Sequence, residues 1–193
     1  MIRLIAGLGN PGSKYQETRH NAGFLFADRV AELGHAQWQE KKSFKGWVCA
    51  LADTECRVIK PTTFMNLSGD AVAAIANYYR IPTEEILIAH DELDLPVGTV
   101  RLKSAGGHGG HNGLRDLIRK LGDSGFHRLR IGIGHPGSGD QVLSYVLGQP
   151  APAEKIAIET AIDQAARHLD QLLAGQFQRV MNDLHSKPDS GNP

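Results

Sequence analysis

The chain lacks several features at once, and each absence removes a class of protein. Its 21 lysines and arginines balance 21 aspartates and glutamates, so no whole-molecule field draws it to nucleic acid or to a membrane surface. Any such binding must be local. Two cysteines, Cys49 and Cys56, are too few for a disulfide framework. Both fall in strand-like runs, WVCALAD and ECRVIK, where a small buried hydrophobe is the expected role. No segment reaches the ~18 apolar residues of a membrane span, no basic start leads into an apolar run, and neither end carries a lipidation signal. The expectation is a soluble, cytoplasmic monomer with no membrane contact. No repeat or composition break divides the chain, so one domain is expected over residues 1–185. The tail SKPDSGNP, residues 186–193, is expected to be disordered.

Familiar catalytic signatures are also missing. Without a GxSxG elbow, a serine acyl-enzyme has no obvious nucleophile. Neither HExxH nor HxxxH occurs, and HGGH at 108–111 lies in a stretch too glycine-rich to hold ligands rigidly by itself. His90, His108 and His111, with Asp91 and Asp94, therefore make a weak case for a metal, and none is expected. The glycines suit a mobile loop that closes or lets a backbone approach. GLGNPG at the start does fit the dinucleotide pattern GxGxxG, at Gly7, Gly9 and Gly12, after the strand-like IRLIA. Yet the fingerprint needs a helix opening inside the glycines and an acidic residue about 20 positions on. Polar, aperiodic SKYQETRHN follows instead, and Glu32 lies inside a later helix. No cofactor is expected.

What is present is an alternation of strands and helices. Strand patterns cover Arg3–Gly7, Trp47–Ala52, Glu55–Ile59, Glu85–Ala89, Thr99–Lys103 and His127–Ile133, with a hairpin turning at Asp53 and Thr54. Helical spacing marks HNAGFLFADRVAEL, SGDAVAAIANYY with Ser68 as N-cap, and GLRDLIRKL ending at Gly122. One long helix carries Ile158, Ile162, Ala165, Leu169 and Leu172; Gly175 interrupts it, and a shorter one follows through Leu184. The predicted class is α/β, a single three-layer domain with a twisted mixed β-sheet flanked by helices. Ligands in such sheets gather at strand C-terminal ends.

Four polar stretches sit at those ends: GNPGSKYQETRHN, KPTTFMNLSG, HDELDLP and GGHGGHNG. A neutral imidazole can take a proton from water, and a carboxylate on its other nitrogen fixes the tautomer. His20 and Asp91 would make such a dyad; the alternatives are a helix-start histidine bonded to a backbone carbonyl and a solvated member of an acidic loop. Asn10, Asn66 and Asn112 flank glycine or proline turns, and their carboxamides could hold a water or an ester carbonyl, or could simply cap and turn the chain. Met65 is either an adaptable substrate contact or a buried gap-filler. Charge is uneven although its sum is zero. Val100 to Arg130 holds seven bases, among them Lys103 and Arg130, against two acids, whereas Thr83 to Asp94 holds five acids and no base. A phosphate-bearing partner or a solvated charged face fits the basic stretch.

Read in order, GLGNPG, Tyr15, TRHNAG, KPTTFMNLSG, HDELDLPVG, RLKSAGGHGGHNGL, FHRLRIGIG and VLSYVLG closely resemble bacterial peptidyl-tRNA hydrolase, from residue 2 to about 185. The resemblance implies hydrolysis of the ester joining a peptide to the 3′-terminal ribose of tRNA, which recycles tRNA from stalled translation. It places His20 and Asp91 as the catalytic pair with Asn10 in the catalytic group. Tyr15, Met65, Asn66, His111 and Asn112 are placed in substrate binding, and Lys103 and Arg130 in tRNA phosphate binding. The implied partner is peptidyl-tRNA, through its acceptor stem and 3′ end. Two rivals stand beside it: a non-hydrolytic RNA-binding relative, similar to the chloroplast splicing factor of this fold, and a metal-dependent hydrolase.

Overall fold

The runs LIAG and ILIAHDE show no polar alternation, as befits strands covered on both faces. In the computed structural model, which describes residues 1–185, they are the central strands of a seven-stranded sheet. Its order is β2 (Gln39–Lys41), β3 (Gly46–Ala50), β4 (Arg57–Pro61), β1 (Leu4–Gly7), β5 (Ile86–Glu92), β7 (His127–Gly132) and β6 (Val100–Ser104). β4, β1, β5 and β7 run parallel, and β2, β3 and β6 add antiparallel edges. The helices are α1 (Ala22–Leu33), α2 (Ser68–Tyr79), α3 (Asn112–Leu121), α4 (Val142–Val146), α5 (Pro152–Ala166), α6 (Leu169–Leu173) and α7 (Phe177–His185).

Alternation along the strands builds two cores. Ile5, Leu87, Ala89, Leu129 and Ile131 meet Phe26 and Val30 of α1, Ile158 and Ile162 of α5 and Val180 of α7. On the other face, Leu4, Ala6, Ile86 and Ile88 meet Val72 and Ile75 of α2 and Leu114 and Leu117 of α3. The result is the expected three-layer α/β domain with a mixed sheet. Cys49 and Cys56 are buried free thiols, and the hairpin turns at Asp53 as predicted. Among the described residues no helix is long and apolar enough to cross a membrane. The expected tail lies outside the described residues.

Three details correct the sequence reading. The helix expected from Ile158 through Leu172 is two, broken between Ala166 and Leu169. Ser68 is the first residue of α2, not its cap: its hydroxyl donates to the Met65 carbonyl and turns the chain into the helix. The short β2 and α4 have no counterpart in the sequence reading. β2 is fully exposed and three residues long, so it has no buried face to mark it.

Two close approaches fix where the strand-end loops go. A Cβ on Gly7 would lie 2.2 Å from the Gly23 carbonyl oxygen, and one on Gly23 would lie 2.3 Å from the Ala89 carbonyl oxygen. Thus α1 enters directly over β1 and β5, bringing the preceding Arg19–Asn21 turn to the end of β5. A Cβ on Gly69 would lie 2.6 Å from the Asp116 carbonyl oxygen, and the Asp116 carboxylate accepts from the Gly69 amide at 2.9 Å, which locks α2 to α3. Ala normally stabilises a helix interior over Gly by about 1 kcal/mol. Gly23→Ala should instead destabilise by about 1–3 kcal/mol, the usual cost of overpacking a close-packed contact. A urea midpoint at or above wild type would contradict the packing described.

Candidate active site

Asp91 lies on β5, 3% exposed, with both carboxylate oxygens engaged. His20 Nδ1 is 2.9 Å and 3.0 Å from its two oxygens, and His111 Nε2 is 2.8 Å from Oδ1. The solvated-loop alternative for Asp91 is thereby overturned, as is a backbone carbonyl partner for His20 Nδ1. His111 occupies the N-cap position of α3, where its Nδ1 accepts the Leu114 amide at 3.3 Å. Its proton must then sit on Nε2 and point at Asp91. The capping role foreseen for Asn112 belongs to His111; Asn112 is the first helical residue, exposed, and its oxygen accepts from Arg115.

With the carboxylate fixed from one side by His111, neutral His20 donates Nδ1–H to it and keeps its lone pair on Nε2. Burial favours the neutral ring, but the Asp91 charge and hydrogen bond outweigh it and raise the His20 pKa above its ordinary value. Burial likewise pushes the Asp91 carboxyl up, and the two histidines more than offset this, holding it well below the carboxylate range. Such a site can take a proton from water and hold it as imidazolium. His20, Asp91, His111 and Asn112 open on a cavity of about 450 Å³ walled by Leu143 and Val146 of α4.

Asn10 is 7% exposed and is held by three hydrogen bonds. Its amide donates to Asn21 Oδ1 and its carbonyl accepts from Asn21 Nδ2, at 2.8 Å and 2.9 Å, while its side-chain oxygen accepts from the Met65 amide at 2.8 Å. Because Met65 N–H can only donate, the Asn10 side-chain oxygen faces it and the NH₂ group is left to donate elsewhere. Met65 itself is buried, its sulfur under the first turn of α3, where a Cβ on Gly113 would come within 2.7 Å of it. Tyr15 packs edge-on to Phe64 at 6.2 Å between ring centroids, joining the two loops. Asn66 is exposed on the Met65–Leu67 turn and does not line the His20 cavity.

Lys103 and Arg130 lie apart from His20, lining a second cavity of about 280 Å³ that shares Glu92, Asp94, His108 and Gly109 with the first. Arg130 Nε donates to Glu92 at 2.8 Å. The metal candidates are not brought together as a set. Among the described residues one group, His20, Asp91 and His111, places three possible ligand atoms within 4.8 Å of one another. Their spacings of 2.8–3.0 Å are those of direct hydrogen bonds, and the His111 cap commits its Nε2 to carrying a proton. The sequence reading missed Asn21, Glu92 and the walls from α4. Asn21 was visible only as the neighbour of His20, and its reciprocal amide pairing with Asn10 bridges 11 positions that no motif marks.

A histidine held against a buried strand-end aspartate in a three-layer α/β domain is an arrangement that can activate water. The chain belongs to the peptidyl-tRNA hydrolase family, whose model matches residues 4–191. It is 53% identical over 188 residues to the peptidyl-tRNA hydrolase of Halorhodospira halophila, covering 96% of each chain. It is 52% identical over 185 residues to that of Coxiella burnetii, covering 96% of this chain and 98% of the relative. The crystal structure of peptidyl-tRNA hydrolase from Acinetobacter baumannii superposes with a TM-score of 0.93 at 45% identity, covering 96% of this chain and 95% of the other.

The raised His20 pKa sets a direction that can be measured. The imidazolium persists to higher pH than in a free histidine, so the base form, and with it kcat/KM, is lost as pH falls through a midpoint above the ordinary value. Asp91→Asn removes the charge responsible and leaves burial to act alone, so the midpoint should move down while the rate drops. Following the His20 ring proton by NMR in both proteins checks this; an unmoved midpoint would detach His20 from Asp91.

Proposed function

We propose that the chain hydrolyses the ester between a peptide and the 3′-terminal ribose of tRNA by direct attack of water, acting as a single chain on the acceptor end. The observation that carries the reading is the His20–Asp91–His111 hydrogen-bonded set; Asn10, oriented by the Met65 amide, keeps an NH₂ with no protein partner among the described residues. His20 Nε2 takes a proton as the water oxygen bonds to the ester carbonyl carbon, Asp91 stabilises the imidazolium, and Asn10 donates to the developing oxyanion. When the carbon–ribose oxygen bond breaks, His20 returns the proton to that ribose oxygen, freeing tRNA and peptide. Asn112 positions the peptide at the cavity wall; Asn66 and Tyr15, which lie outside that cavity, and the buried Met65 serve more distant parts of its path. No covalent intermediate is formed, and no step is assigned to a metal. Lys103 and Arg130 grip a tRNA phosphate from the adjoining cavity.

The test is turnover of an N-acylated aminoacyl-tRNA, in EDTA, by wild type and His20→Ala. The variant should retain binding and lose at least ~100-fold in kcat, within the range for a missing general base. Near-normal turnover by the folded variant would end the His20 mechanism. No turnover by wild type would favour the RNA-binding reading, and activity restored by stoichiometric zinc the metal reading. Lys103→Ala and Arg130→Ala should raise KM chiefly, because a remote phosphate contact stabilises ground and transition states alike. They should also flatten the salt dependence by about one unit or less in log–log slope. A short acylated oligonucleotide lacking that phosphate should feel neither change; equal KM penalties on both substrates would contradict the clamp.

A further inference from the structure

Arg128 departs from the pattern of the other inward-facing arginines. Arg3, Arg19 and Arg29 reach Glu85, Glu154 and Asp163, respectively. Arg128 is 2% exposed, deeper than any of these, and among the described residues it has no carboxylate partner. Its Nη2 donates to the carbonyls of Gly106 and Ser124, and its guanidinium lies 4.3 Å from the Phe126 ring centroid. Nε and Nη1 are buried without a partner. Burial and the nearby Arg130 lower its pKa, both marks of a charge the fold does not neutralise.

The surroundings are those of a ligand site. Lys103 is directly opposite Arg128 across the β6–β7 ladder, a like-charge placement that costs stability unless something negative lies between. Both line the 280 Å³ cavity with Arg130 and with His90, which is buried and neutral, its pKa pushed down to about 3 by burial; its Nδ1 donates to the Asp91 carbonyl at 2.7 Å, so its Nε2, without a partner among the described residues, is a lone-pair acceptor and adds no donor for an anion. The acids there do not supply the missing charge. Glu92 is held by Arg130 and the Asp94 amide, and Asp94 is exposed. Gly106 admits the backbone between the cations: its φ is +123°, and a Cβ would come 3.1 Å from Lys103 Nζ and 3.4 Å from Arg128 Nη1.

We propose that Arg128 is the buried floor of an oxyanion pocket, rimmed by Lys103 and Arg130, that takes the oxygens of a tRNA phosphate. This rests on the clamp reading of Lys103 and Arg130 and adds to it the residue that makes the pocket a binding site in the folded chain. A guanidinium already stripped of water needs no further desolvation when the phosphate arrives, so its charge-assisted contact is stronger than that of an exposed lysine.

The full chain and its Arg128→Gln and Arg128→Lys variants would be unfolded thermally in sodium phosphate and in sodium chloride of equal ionic strength, then assayed on full-length and truncated substrates. Arg128→Gln keeps a donor for the Gly106 carbonyl and removes the charge. It should unfold in chloride no earlier than wild type, because it relieves a buried unpaired cation, and it should lose most of the phosphate-specific shift. Its KM for full-length substrate should rise about tenfold, as the loss of one charge-assisted contact implies, with a much smaller penalty on the truncated one. Arg128→Lys should recover part of both effects. A lower Tm in chloride with reduced kcat on both substrates would make Arg128 a strap for the glycine loop and overturn the proposal. A phosphate shift without any KM change would mark a free-anion site and overturn the assignment to tRNA. If Lys103→Ala and Arg130→Ala discriminate the substrates and Arg128→Gln does not, this inference fails alone; the reverse would remove the rim and leave the floor.

Discussion

A carboxylate buried at the end of a central strand is the constraint around which the site is organised. Removing an unpaired Asp91 from water would cost several kcal/mol, and the strand offers it no donor of its own. Two imidazole N–H groups satisfy it, one carried 71 positions away in sequence and the other 20. The carboxylate therefore holds together the loop before α1 and the loop before α3, and the same contacts that make its burial tolerable set the tautomer of His20. Stability and chemistry share one pair of hydrogen bonds, so neither histidine can be replaced without exposing the other to a partly compensated charge.

That arrangement needs loops that arrive at defined heights, and glycines supply them by what they lack. Gly7 and Gly23 let α1 lie against β1 and β5 with no Cβ between them, and Gly69 does the same for α2 against α3. The carboxamide of Asn10 then obtains its orientation from a backbone donor, Met65 N–H, and its position from Asn21. A free side chain would sample both amide orientations; here one is excluded because two donors would face each other.

Much of this was legible in the sequence. The class, the central strands and the helices α1, α2, α3 and α7 follow from apolar periodicity, and the four polar strand ends do converge on one edge. His20 and Asp91 could be paired on chemical grounds because strand ends in such a sheet share one side. What periodicity could not show was side-chain direction across long sequence separations. Residue type alone favours Asn112 over His111 as a helix cap, since asparagine is the better intrinsic cap. Tertiary demand reversed this, because capping by His111 is what aims its proton at Asp91. Asn66 looked equivalent to Asn10 from its turn context, yet one is exposed and the other pinned, a difference made by Asn21 and Met65. The broken helix at Arg167 and His168 carries no glycine or proline to announce it.

Charge at this edge is arranged by position, since β5 and β7 lie side by side and alternate their side chains between two faces. Asp91 points toward α1 with Leu87 and Ala89, whereas His90 and Glu92 share the other face with Arg128 and Arg130. Glu92 sits between the two cavities, accepting from Arg130 Nε on one side and from the Asp94 amide on the other. Arg130 meets Glu92 through Nε, and among the described residues its terminal nitrogens have no hydrogen-bond partner. A basic surface patch and a proton-accepting histidine would work against each other if they shared a face; the pleat of one strand keeps them apart.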